Sequence, residues 1–139
     1  MKIRFRIYPD KKLIVAVFKG PVVYEDILQW FNEAREHPDF SSKYKGLVDF
    51  RNAVFGTEDR EQPRKMAQKA EALAEYMVKI DFTSAKWALL ADSPVETSLS
   101  MLYSHSASQK HPMETFSTVQ AAEDYLEVSL EDAIQDLNK

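Results

Sequence analysis

The chain has 139 residues, 45% of them hydrophobic and 29% charged, with a net charge of −4. This suits one soluble domain with its own core and gives no overall attraction to nucleic acid or to an anionic membrane. Cysteine is absent and glycine occurs only at Gly20, Gly46 and Gly56, which excludes disulfides, thiolate catalysis, cysteine-held metal centres and a glycine-rich phosphate loop.

Ile3, Phe5 and Ile7 alternate with Lys2, Arg4 and Arg6, the period of a strand with one wet face. The start shows no apolar region of signal-peptide length and no stretch reaches transmembrane length, so a cytoplasmic protein without an integral membrane segment is expected. Pro9–Lys12 is turn chemistry, and Leu13–Phe18 is a second strand, which makes an antiparallel hairpin ended by Gly20–Pro21. Tyr24, Ile27, Leu28, Phe31 and Ala34 fall at helical spacing, with Glu25 and Asp26 in the first turn where the helix dipole favours them. Pro38 ends that helix.

Gly46–Arg51 is an apolar run closed by two opposite charges, which reads as a buried central strand. Asn52–Thr57 is expected to be a loop carrying two exposed apolar residues, Val54 and Phe55. Met66, Ala70, Leu73, Ala74 and Met77 mark a second helix, with Pro63 in its first turn. Ala85–Ala91 is the next strand. Ser93, Pro94 and Glu96 then read as a capping box opening a third helix, with Val95, Leu99, Leu102 and Tyr103 on its apolar face. Met113–Phe116 is a last short strand, and Ser117 with Gln120 caps a fourth helix. Ser129 with Asp132 caps a tail carrying Leu130, Ala133, Ile134 and Leu137 along one side. The predicted fold class is α/β: a five-stranded mixed sheet that opens with an antiparallel hairpin and continues in strand–helix alternation, helices packed on the sheet.

This order, with Gly46–Ala53, Lys86–Asp92 leading to Met101–Tyr103, and Phe116–Thr118 leading to Ala121–Leu126, resembles the SpoIIAA-like branch of the STAS superfamily (sulfate-transporter and anti-sigma-factor-antagonist domains). The resemblance covers residues 1–128 and leaves 129–139 as an amphipathic helical tail. It implies a non-catalytic regulatory or binding domain that engages a protein partner or a small ligand. In anti-sigma-factor antagonists a phosphorylatable serine sits in an Asp-Ser-Ser-Gly turn just after the central strand. Here that stretch reads Asn52-Ala53-Val54-Phe55-Gly56-Thr57, and the motif is missing. Kinship of this superfamily with lipid-binding domains makes a carrier of a lipid or other apolar ligand the alternative.

Ligands of open α/β sheets bind beyond the carboxyl ends of the strands. The candidate binding residues are therefore Asp49, Arg51, Asn52, Phe55 and Thr57 after the central strand, with Asp92 and Ser93 after its neighbour. Their structural explanation is an Asp49–Arg51 ion pair and a Ser93 cap. An enzyme using Asp49, Arg51 and Asp92 is the rival class, and the lack of an activated nucleophile or metal spacing weighs against it. His37, His105 and His111 show no metal-ligand spacing, so neither metal nor cofactor is expected. Tyr24, Trp30 and Phe31 read either as core or as the lining of an apolar cleft. Trp30 lies off the main stripe, which offers it to a partner. A tail helix of ~10 residues is marginal alone in water, so its stripe must be buried, and a homodimer through the tail is expected. The missing Asp-Ser-Ser-Gly turn predicts no stoichiometric phosphorylation in the loop after the central strand. Intact mass of protein from native cells checks this: a single phosphate at Thr57 reverses it.

Overall fold

Chain order and strand order coincide. The computed structural model describes residues 3–55, 62–80, 82, 86–108 and 112–139. Along these the elements are β1 (Ile3–Tyr8), β2 (Leu13–Val22), α1 (Tyr24–Glu36), β3 (Lys45–Phe55), α2 (Pro63–Lys79), β4 (Lys86–Leu90), α3 (Pro94–Ser108), β5 (Met113–Phe116), α4 (Val119–Leu126) and α5 (Glu131–Leu137). The five strands form one sheet ordered β1-β2-β3-β4-β5. β1 pairs antiparallel with β2 and every later pair is parallel. This is the mixed α/β sheet that the sequence pattern predicts. No helix among the described residues is long and apolar enough to cross a membrane.

Each step from β2 to β5 moves one place in the same direction. Right-handed crossovers then put the three connecting helices on one face. Side-chain alternation divides the core to match. Ala16, Phe18, Val48, Trp87 and Leu89 face the layer of α1, α2 and α3, while Leu13, Val15, Leu47, Ala88 and Leu90 face the other way. That second face is covered by Ala122 and Leu126 of α4 and by Leu130, Ala133, Ile134 and Leu137 at and within α5.

The tail is thus part of the sandwich, and the boundary drawn at Val128 falls inside one hydrophobic cluster. The stripe that the sequence offers to a second copy is buried against its own chain, which removes the reason for a tail-mediated dimer. Nor is its polar face wholly wet. Asp136 accepts from Arg6 at 2.5 Å and from the Tyr8 hydroxyl at 3.2 Å, and Arg4 donates to the Lys139 carbonyl.

Local signals differ from expectation where tertiary partners are better placed. α4 is capped by Thr118, whose hydroxyl accepts from the Ala121 amide at 3.2 Å, one residue beyond Ser117. α5 starts on Leu130, whose N–H donates to the Glu123 carboxylate at 2.8 Å in place of a Ser129 cap. At the other end of α4, Lys86 donates to the Tyr125 carbonyl at 2.9 Å and Lys45 to that of Leu126. Those two lysines are register partners on β3 and β4, and their charge suits the negative end of the helix dipole.

β2 continues past Gly20–Pro21 to Val22, and β3 continues through the expected loop to Phe55. The described β1 pairs β2 only as far as Phe18. Among the described residues nothing pairs β2 on that side at Pro21, where proline is tolerated. Gly20, at φ 71°, supplies the left-handed backbone there.

Leu130 is fully buried, and Leu130→Ala is expected to cost about 3 kcal/mol, or roughly 10 °C in thermal midpoint. Because the covering partner is the same chain, the loss should not vary with protein concentration. Calorimetry over a hundredfold concentration range checks this, and a midpoint that rises with concentration would point to a second copy.

Candidate functional site

Two buried carboxylates organise the carboxyl ends of the strands. The first is Asp49, only 1% exposed. Between Val17 and Lys19 of β2, β3 runs from Asp49 to Asn52, so β3 carries one extra residue, a β-bulge. A bulge takes a backbone N–H out of the ladder. Asp49 answers it: its Oδ1 accepts from the Arg51 amide at 3.0 Å. The Arg51 guanidinium then closes on the same carboxylate, Nε to Oδ1 and Nη2 to Oδ2, both at 2.9 Å. The Asp49 hydrogen bond is the main cause holding Arg51 more firmly protonated than usual; burial opposes it, and the charges of Asp49 and then Asp92 add to it. This geometry ties a bulge together, and both carboxylate oxygens are engaged.

The second carboxylate is Glu96 in the first turn of α3, 4% exposed. It accepts from the Phe55 amide at 3.1 Å and from the Ser93 hydroxyl. Ser93 and Glu96 do pair, but side chain to side chain and not through the reciprocal backbone bonds of the expected box, and the carboxylate also reaches across to pin the end of β3 to α3.

The predicted edge site therefore divides. Asp49 follows Val48 on the strand and points to the α4–α5 side, with Asp92 near enough to act on Arg51. Phe55 and Ser93 meet through Glu96 on the three-helix side. Asn52 is exposed and faces Lys19 in the ladder. Phe55, expected to be exposed, is 8% exposed and packs on Phe50 with ring centroids 4.7 Å apart. Thr57, like Gly56 and His111, lies outside the described residues.

An apolar cavity lies elsewhere, between the sheet and its three-helix layer. It has a volume of about 100 Å³. Phe18, Val48, Trp87 and Met113 form its sheet side. Ile27, Trp30, Leu73, Leu99 and Tyr103 are among its helical lining, and Tyr24 and Phe31 also contribute. Trp30 is 4% exposed and sits edge-on to Phe18 at 5.5 Å and to Trp87 at 6.4 Å. It is an inward residue, which corrects its reading as a partner surface.

Trp87 depends on Gly46. The two are register partners, and a Cβ on Gly46 would lie 2.2 Å from the Trp87 ring. Glycine lets the indole lie over the strand backbone.

The wall is not wholly apolar. Trp30 Nε1, Trp87 Nε1 and Ser100 Oγ are buried without a hydrogen-bond partner among the described residues, and the three residues are among those that line the cavity. Buried polar groups in folded proteins are normally paired, so such a group is a signal. The Tyr103 hydroxyl donates to Met77 Sδ at 2.9 Å, a weak acceptor, and burial pushes its phenol well above the ordinary range. Lys69 is the charged residue among the described lining. Sequence reasoning missed Trp87, Ser100 and Tyr103 as a set because each sits on an ordinary apolar face. Among the described residues no three His, Asp or Glu side chains gather as a metal site.

The hairpin-led mixed sheet with its helical layers has a SpoIIAA-like α/β fold. Among solved structures it is similar to an uncharacterized protein of the DUF3478 family with a SpoIIAA-like fold, from Shewanella loihica PV-4. The two share 12% sequence identity over 89% of this chain and 93% of that one, with a TM-score of 0.52. At that identity the likeness is one of fold. No protein-family model matches the chain. No curated protein matches it.

Removing the Glu96 carboxylate strands the buried Phe55 amide, whereas removing Ser93 Oγ takes away one donor. Glu96→Ala is expected to cost about 2–3 kcal/mol and Ser93→Ala about 1 kcal/mol, with Glu96→Gln nearer the smaller figure because it keeps an acceptor for Phe55. Urea unfolding of the three variants measures this order, and equal losses for Glu96→Ala and Ser93→Ala would contradict the role given to Glu96.

Proposed function

We propose that this is a non-catalytic binding domain that takes a small, largely apolar molecule between its sheet and its three-helix layer. The observation that carries this reading is the apolar cavity of about 100 Å³ between the sheet and the three helices, lined by both tryptophans. An engineered apolar cavity of roughly 150 Å³ is enough to bind benzene or xenon, so a volume of this order suits a compact ligand or the buried end of a longer one. Pockets that bind ligands are mostly apolar, and so is this wall. The polar strand ends support the binding reading over the enzymatic one. Asp49 is spent on Arg51, and Glu96 on Phe55 and Ser93, so both buried carboxylates are held in structural pairs.

The chain contains two tryptophans, Trp30 and Trp87, and both line the cavity. Intrinsic fluorescence therefore reads the site directly. Titration with toluene is expected to give a saturable change and to raise the thermal midpoint by about 2–4 °C per kcal/mol of stabilisation. Ala70→Phe, which places a ring in the lining, should abolish the change while the variant still unfolds cooperatively. Absence of any saturable response in the folded wild-type protein would remove this reading.

A further inference from the structure

Resting on that reading, we infer that the molecule taken up carries an aromatic ring, and that the rings of the cavity wall select it over a saturated ring of the same size.

Nine of the 21 described residues around the cavity are aromatic, whereas aromatic residues make up 12% of the chain. They come from separate segments: Phe18 and Phe50 from the sheet, Trp30 and Phe31 from α1, Tyr103 from α3. This is not a general property of the core. The buried cluster on the other face of the sheet contains no aromatic side chain among the described residues.

The surface of the cavity is almost wholly apolar, and beyond its Cβ a phenylalanine side chain is all ring. An aromatic ring is negative over its face and positive at its edge. Whichever part of a ring bounds the cavity, an aromatic guest has the matching part to set against it. A saturated ring has neither and gains dispersion alone. Met66 and Met113 also line the cavity, and thioether sulfur makes favourable contacts with aromatic rings.

The rings of the wall hold one another in place. Trp30 meets Phe18 at 82° and Phe82 at 84°, with centroids 5.5 and 5.6 Å apart. Phe18 meets Phe50 at 84° and 4.8 Å. Trp87 lies over Gly46 and meets Phe82 at 64°. A wall fixed in this way presents its edges and faces before the guest arrives, so little of the gain is lost in ordering it. The volume of about 100 Å³ confines the buried part to about one six-membered ring.

Benzene and cyclohexane separate ring character from ring size. Cyclohexane is the more hydrophobic of the two, so each affinity is divided by that probe's measured partition from water into hexadecane. Affinities come from tryptophan fluorescence. The place of binding comes from the methyl resonances of Val48, Leu73 and Leu89, which line the cavity. On the corrected scale benzene is expected to bind about tenfold more tightly than cyclohexane, and its ring current should shift those methyl signals. Phe31→Leu and Phe50→Leu each replace a lining ring by an aliphatic chain. Each should cut benzene's advantage roughly threefold while cyclohexane still binds. A ring with only a structural role would weaken both probes alike. The wild-type comparison decides the preference even where a variant fails to fold.

Equal corrected affinities, or an advantage for cyclohexane, overturn the aromatic assignment and leave the cavity a site for apolar molecules in general. An advantage that survives both substitutions in folded protein overturns the selection by the wall's rings. Failure of benzene, cyclohexane and toluene alike to give a saturable response defeats the binding reading on which the inference rests.

Discussion

The handedness of three crossovers governs this molecule. Because β2, β3, β4 and β5 step the same way across the sheet, α1, α2 and α3 crowd onto one face and leave the other bare. A sheet with a naked apolar face is not stable in water, so the remaining chain has to cover it. α4 and α5 do this, and their short length is offset by burial of Leu126, Leu130 and Leu137. Each large side chain so buried contributes about 1.5–3 kcal/mol, where a seven-residue helix in isolation would not persist. Lys45, Lys86, Arg6 and Glu123 hold the two helices at their ends, which fixes where the layer sits as well as that it forms.

The two faces differ in what they enclose. The second face is aliphatic and closed by the last helix. The first is aromatic: Phe18, Trp30, Phe31, Phe50, Phe55, Phe82 and Trp87 meet mostly edge to face or tilted. Edge-to-face rings are specific in direction and cannot collapse into any shape. Large planar side chains held in such a frame leave space between them, and the cavity lies there. Gly46 contributes by yielding the volume over one strand to an indole.

Buried charge is used sparingly and for the backbone. Asp49 satisfies the amide that a β-bulge turns out of the ladder, and Arg51 neutralises it. Glu96 satisfies the amide of Phe55 at the end of the extended β3. Asp49 mends a bulge within the pairing of β3 with β2, and Glu96 serves the stretch of β3 that runs beyond β4. At the end of β3, where a ligand of an open α/β sheet would be sought first, both buried carboxylates are engaged by these repairs, and the apolar cavity lies under the helices.

Much of the fold was legible in the sequence. Period-two alternation in Ile3–Ile7, the apolar runs at Leu13 and Gly46, helical spacing in α1 and α2, and Pro63 at a helix start all reflect local physics, in which a residue's neighbours in the chain set its environment. Asp49 next to Arg51, and Ser93 next to Glu96, were likewise readable as pairs because their partners are two and three residues away. The features that escaped depend on partners far apart in the chain. Ser117 and Thr118 are equally good caps on paper, and packing chose between them. Trp30 looked free because it lies off its own helix's stripe, yet Trp87, 57 positions later, is what it packs against. Asn52–Phe55 read as a loop because nothing local reveals that Lys19–Val22 lies alongside. The sequence by itself determined the elements, their order and the sidedness of each strand, since these follow from spacing along one chain. The tertiary structure decided that the tail packs on the second face of the sheet and that Trp30 and Trp87 line one cavity, because burial exists only once separate segments have come together.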